Sequence, residues 1–254
     1  MSMKISLKLV SLNIERYKHL DLVEKFLAAR MPDIFCVQEV FEQDLERFSR
    51  VLGGASHTFE PMGKRPDEPP PGVMGIAIFS RLPIKTKRVH YYAGTPGALR
   101  DSIQSDESTY NLLNKMVLVC DIEKEGTAFR IATTHFTWTP DGKADKVQRT
   151  DIKNLLEILS GLDEFVLTGD FNAPRGGEIF GMLAEKYRDN IPPEYKTSLN
   201  VSLHRAGKSW PEELADKMVD GMFSTPAYVV SDVELVSGVS DHCAIVATVS
   251  PARD

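Results

Sequence analysis

A four-layer α/β/β/α sandwich, two mostly antiparallel sheets stacked face to face with helices outside, is the fold class this sequence predicts. Three observations point to it. Apolar runs of strand length outnumber amphipathic helical runs, which argues against a regular βαβ alternation. The two halves look alike in pattern, each mixing several strands with two helices. No repeat, low-complexity tract or linker divides the 254 residues, so 1–254 reads as a single domain.

The elements follow in order. Ile5, Leu7, Leu9, Leu12 and Ile14 mark a first strand ending at Asn13. A short amphipathic helix spans about Leu20 to Ala29, stopped by Pro32. Asp33 to Val37 is a buried strand that delivers Gln38 and Glu39 at its end. Glu42 to Leu52 carries Leu45, Phe48, Val51 and Leu52 on one helical face, and Gly53-Gly54 ends it. The proline-rich run Arg65 to Gly72 predicts a surface loop. Strands follow at Val73–Phe79 and Ile84–Tyr92, then a polar loop from Gly94 to Asn111, then strands at Met116–Ile122 and Phe129–Thr134. Val147, Ile152, Leu155, Leu156 and Leu159 set the spacing of a longer helix. A further helix is expected at Glu178–Tyr187, an irregular stretch at Ile191–Lys217, and strands near Met218–Phe223, Val229–Val236 and Ala244–Val249.

Composition bounds the function. Lys plus Arg is 30 against 36 for Asp plus Glu, and the net charge of −6 argues against unspecific adhesion to nucleic acid or anionic membrane. Cys36, Cys120 and Cys243 sit singly in apolar runs with no metal spacing, as reduced buried thiols do. The opening Met1 to Lys8 is too polar for a signal peptide and no window has the length of a membrane span, so a cytoplasmic protein is expected.

The most informative stretch is Phe165 to Pro174. Three apolar residues form a short buried strand, Gly169 is expected to break it, and Asp170 and Asn172 stand two apart. On extended chain both side chains would meet one pocket; the alternative is an Asx-type turn. A carboxylate can bind a cation or take a proton from water, and an amide can hold an oxygen in place. Other polar residues mark strand ends: Asn13, Glu39, His135, Asp220, and Asp241-His242. Singly, an Asn or His there is a turn former. Asp220 lies inside an apolar segment and needs a partner such as a histidine.

Six pieces in order resemble the endonuclease/exonuclease/phosphatase family, metal-dependent phosphoester hydrolases of DNase I-like fold. They are Ser11-Leu12-Asn13-Ile14, Pro32 to Val40, Thr134-His135-Phe136, Gly169-Asp170-Phe171-Asn172, Val219 to Phe223, and Ser240-Asp241-His242-Cys243. The resemblance implies that Glu39 is the main ligand of a catalytic Mg²⁺, or Mn²⁺ in its place, with Asn13 and Asp241 nearby. It implies that Asp170 orients or deprotonates the attacking water and that Asn172 holds that water or a phosphate oxygen. His242 would contact the phosphate with Asp220 behind its ring, His135 would be a second donor, and Gln38 would support Glu39. Where many members carry an aromatic after the Asp of the Asp220 segment, this chain has Gly221, expected to loosen the wall behind His242.

The substrate is less legible. A phosphodiester of nucleic acid or a nucleotide is the leading expectation, because length, loop pattern and the run Asp145-Lys146-Val147-Gln148-Arg149 resemble small enzymes of DNA ends and nucleotide conjugates. A small-metabolite or lipid-headgroup phosphoester is the alternative, and a non-catalytic binding module a third. Inositol-polyphosphate phosphatases need a dense basic cluster, which the sequence does not display. Lys115 is a candidate phosphate contact or an exposed strand lysine. Trp138 and Trp210 are candidates for base stacking, with ordinary packing the alternative for both and the weightier one for Trp138, and Arg205 with Lys208 are candidates for a phosphate backbone. The expected partner is the phosphoester substrate, nucleic acid among the candidates, with no membrane, and the chain is expected to be a monomer.

Overall fold

A computed structural model describes residues 5–252, so Met1–Lys4, half of the run read as too polar for a leader, lie outside it. The strands are β1 Leu7–Asn13, β2 Ile34–Phe41, β3 Ser56–Arg65, β4 Gly72–Ser80, β5 Ile84–Ala93, β6 Lys115–Lys124, β7 Thr127–His135, β8 Val166–Asp170, β9 Arg188–Asp189, β10 Asp220–Ser224, β11 Tyr228–Val236 and β12 Ala244–Pro251. The helices are α1 Leu20–Arg30, α2 Leu45–Val51, α3 Lys146–Ser160, α4 Glu178–Ala184 and α5 Pro211–Leu214. Six strands in the order β11-β12-β1-β2-β4-β3 make one sheet, and β5-β6-β7-β8-β10-β9 make the other. Pairing is antiparallel except for β1 with β2 and β7 with β8.

Alternation along the strands builds three apolar layers. Leu7 and Leu9 of β1 face Leu118, Cys120 and Ile131 of the other sheet in the central layer, while Val10 and Leu12 face Val23, Leu27 and Phe48 of α1 and α2. On the far side Ile152, Leu155 and Leu159 of α3 and Phe180 of α4 cover Val119, Ala132 and Leu167. Strands buried on both faces read as unbroken apolar runs, which is why β1, β2 and β7 were legible. Asp145 caps α3 by accepting from the Gln148 amide at 2.7 Å. All three cysteines are buried and free.

The structure departs from the sequence reading at several points. Ser56–Arg65 is a strand that the reading passed over, since an edge position with Pro61 and a mixed polar pattern carries little signal. Arg65 therefore closes a strand and is buried at 5% exposure; the proline-rich run after it is the expected surface loop, with Pro66, Asp67, Pro69, Pro70 and Pro71 exposed and Glu68 alone turned inward at 7%. The helix expected from Glu42 starts as a 3-10 turn at Glu42–Asp44 before α2, and α4 stops at Ala184. Val147 is 44% exposed and contributes nothing to the buried face of α3. Gly169 does not break β8. It lies inside the strand at φ 147°, where a Cβ would meet the Thr134 carbonyl oxygen at 2.0 Å, so glycine permits β7 and β8 to pair.

Candidate active site

The two parallel pairs end side by side, and these ends build the site. Asn13 sits opposite Gln38 where the β1–β2 pairing stops, although β2 itself runs on past Gln38 and Glu39 to Phe41, and His135 sits opposite Asp170 where β7 and β8 finish. Asp170 is also in register with Asp220 of β10. Where the pairing with β1 stops, β2 bulges, between Val37 and Val40, and Glu39 takes a left-handed φ of 57° that re-aims its carboxylate. Gln38 stays behind, fully buried, donating to Thr133 Oγ1 at 2.9 Å and to Ser11 Oγ at 3.4 Å, a tie between the sheets.

A cavity of about 120 Å³ opens at this edge, and Asn13, Glu39, His135, Asp170, Asn172, Asp241 and His242 all line it. Asn13 Nδ2 donates to Asp170 Oδ2 at 3.0 Å and to Glu39 Oε1 at 3.3 Å. His135 Nε2 lies 3.6 Å and His242 Nε2 3.9 Å from Asp170 Oδ2. Asp220 stands behind His242, its Oδ2 2.7 Å from Nδ1. The Asn172 amide N donates to Asp170 Oδ1 at 2.8 Å, with Asn172 at φ 48°. Asp170 and Asn172 thus share the cavity through an Asx turn, not through extended chain. Gly221 does not loosen the wall: a Cβ there would meet Phe171 at 2.7 Å and Phe223 at 2.8 Å, so these rings fill the space.

Electrostatics separate the two imidazoles. Burial alone would discharge His242, but the Asp220 and Asp170 carboxylates lift its pKa well above the usual histidine value. Burial and the Lys115 charge push His135 down to about 4, so its ring is neutral. Burial also raises Asp170, against the pull of His242. Partial burial works against the Glu39 charge, yet the Arg16 guanidinium, then His135, hold its carboxyl well below the carboxylate range. Burial drives Asp241 up to about 6, against His242, with Glu15 and Glu39 adding repulsion. Glu39 and Asp241 bring two carboxylates to the lining of one cavity, close enough for the Glu39 charge to act on Asp241, and Asn13 lines it with them, its Nδ2 on Glu39 and its Oδ1 on the Glu15 amide. That donor set fits a hard divalent cation.

The remaining expectations divide. Lys115 is no exposed strand lysine: it is 3% exposed, lines the cavity and donates to the Phe136 carbonyl at 3.1 Å. Arg205 lines the cavity as well. Trp210 does not; it is 56% exposed and absent from the lining, so the stacking role expected for it has no support. Trp138, expected to pack, does line the cavity, edge-on to Tyr110 with centroids 5.2 Å apart. Sequence reasoning missed Arg16, Arg65 and Tyr110, and with them a basic cluster: Arg16, Arg65, Lys115 and Arg205 come from four separate segments to one cavity. Arg16 contacts Glu39 and lies 2.8 Å from Glu68 Oε1. A proline-flanked arginine beside an acid was the only signal for Arg65.

Solved structures share this architecture along the whole chain. An endonuclease/exonuclease/phosphatase from Bacteroides vulgatus aligns with a TM-score of 0.71 at 16% identity, covering 98% of this chain and 100% of the other. The human Nocturnin catalytic domain with bound sulfate anion aligns at 0.70 and 20% identity, covering 98% and 96%. A Bacteroides thetaiotaomicron mannosyl-6-phosphatase aligns at 0.66 and 15% identity, covering 98% and 100%. At such identities the likeness is one of fold, which is DNase I-like. No curated protein matches by sequence. The sequence profile of the Endonuclease/Exonuclease/phosphatase family matches residues 10–242, and the chain belongs to that family.

Proposed function

We propose that the protein is a Mg²⁺-dependent phosphodiesterase acting on nucleotide-containing esters, with Mn²⁺ able to substitute. One observation carries the reading: the buried Asp170 carboxylate lies within 4 Å of both imidazoles, in the cavity that Glu39 and Asp241 also line. Glu39, Asp241 and Asn13 would hold the cation, which when bound neutralises charge on the non-bridging phosphate oxygens.

The chain's own groups do the rest. Asp170, raised by burial, takes the proton of the attacking water as the new P–O bond forms. Asn172 orients that water or a phosphate oxygen. His242, kept cationic by Asp220, donates to the phosphate where charge accumulates, and neutral His135 donates one further hydrogen bond. The leaving oxygen departs opposite the water and collects its proton from solvent.

The small cavity, about 120 Å³, favours a second reading, a compact phosphomonoester, in line with the name of the Bacteroides thetaiotaomicron neighbour. An aryl phosphodiester and an aryl phosphomonoester separate the two. The proposal expects faster turnover of the diester, abolition by EDTA, recovery with Mg²⁺, and no turnover by Asp170→Ala. Activity indifferent to EDTA contradicts it.

A further inference from the structure

Two buried cations in the cavity have no acid in direct contact. Arg65 is 5% exposed and Lys115 3% exposed, and among the described residues neither forms an ion pair. The guanidinium of Arg65 reaches one acceptor, the Ser102 carbonyl, at 3.4 Å; its Nε is buried without a partner. Its carbon sits 5.4 Å over the Tyr110 ring, which fixes the plane. Lys115 Nζ uses one of three donor sites, on the Phe136 carbonyl. Arg16 next to them is the contrast: equally buried, it is surrounded by Glu15, Glu39 and Glu68.

A buried cation without a paired counter-charge is costly, and unfilled donors beside it add to that cost. Both are relieved if an anion enters. On the hydrolase reading the reacting phosphoryl group would have His135, His242 and Asn172 around it, together with whatever cation Glu39 and Asp241 would hold. Arg65 belongs to a different wall, where the 94–113 segment is strapped to β3: Lys64 N donates to Arg100 O and Ser102 N to Lys64 O, both at 2.9 Å. Resting on the hydrolase reading above, we propose that Arg65 and Lys115 form a subsite for a second phosphoryl group of the substrate, beside the one hydrolysed. The shared chemistry is a phosphate neighbour, whether through a diphosphate bridge or across one sugar.

The test measures binding of pyrophosphate and orthophosphate by calorimetry, and kcat/KM for thymidine 5′-(p-nitrophenyl phosphate) with and without a 3′-phosphate. The parent is expected to prefer at least one two-phosphate probe. Preference for pyrophosphate marks the diphosphate, and preference for the 3′-phosphorylated ester marks the strand neighbour. Arg65→Gln is expected to lose about 10- to 100-fold on the preferred probe, the contribution of charge-assisted hydrogen bonds, and about tenfold less on its one-phosphate counterpart. Should that variant not fold, Lys115→Gln carries the same expectation. Equal losses on both probes, or a parent without preference, overturn the subsite. Pyrophosphate preference with neither ester turned over would sink the hydrolase reading and leave the subsite standing.

Discussion

Replacing Asp220 with Asn tests how the site holds its charge. The substitution keeps the shape and a hydrogen-bonding group 2.7 Å from His242 Nδ1 but removes the negative charge. In the parent that charge is the main influence lifting His242 against burial, with Asp170 second. Without it the fully buried ring loses most of its reason to stay protonated, and the cation that faces the phosphate goes with it. A hydrogen bond to a charged group contributes about 1.5–3 kcal/mol. At ~1.4 kcal/mol per decade that corresponds to a fall of about 10- to 150-fold in kcat/KM. The assay is hydrolysis of an aryl phosphodiester at saturating Mg²⁺, with circular dichroism to verify the fold. A well-folded D220N protein within about threefold of the parent would refute the assignment of the pair.

Three further outcomes are expected. Burial holds Lys115 at about 8, so its charge disappears as pH rises through that value. The parent's kcat/KM should therefore decline on the alkaline side near there, and Lys115→Gln, slower throughout, should lack that limb. Gly169→Ala must push a methyl group against the Thr134 carbonyl, prising apart the pair that presents His135 and Asp170. A loss of about 2–4 kcal/mol in stability by urea denaturation is expected, with activity falling alongside. Gly221→Ala forces its methyl between Phe171 and Phe223, and about 1–3 kcal/mol of overpacking should lower the melting temperature.

Much of this was legible because the fold exposes its logic where strands are buried on both faces. Continuous apolar runs announced β1, β2, β7 and β8, and each polar residue ending one of them, Asn13, His135 and Asp170, faces the cavity. What stayed hidden lies where no period operates. β3 is an edge strand, so half its residues look like loop. Glu15 and Arg16 turn inward through left-handed conformations, φ 47° and 64°, that nothing in their residue types requires. The basic cluster exists only in three dimensions, since Arg16, Arg65, Lys115 and Arg205 are far apart in sequence. The two tryptophans part for the same reason: Trp138 follows a strand end into the site, whereas Trp210 sits in an irregular stretch and faces outward.

The most direct measurement is a titration of the metal-stripped protein with Mg²⁺, read both as heat and as rate, in the parent and in Glu39→Gln. The account predicts saturable binding that tracks the appearance of phosphoester hydrolysis, with both weakened at least tenfold by the substitution. Hydrolysis that persists in Glu39→Gln with its metal affinity unaltered would contradict the account.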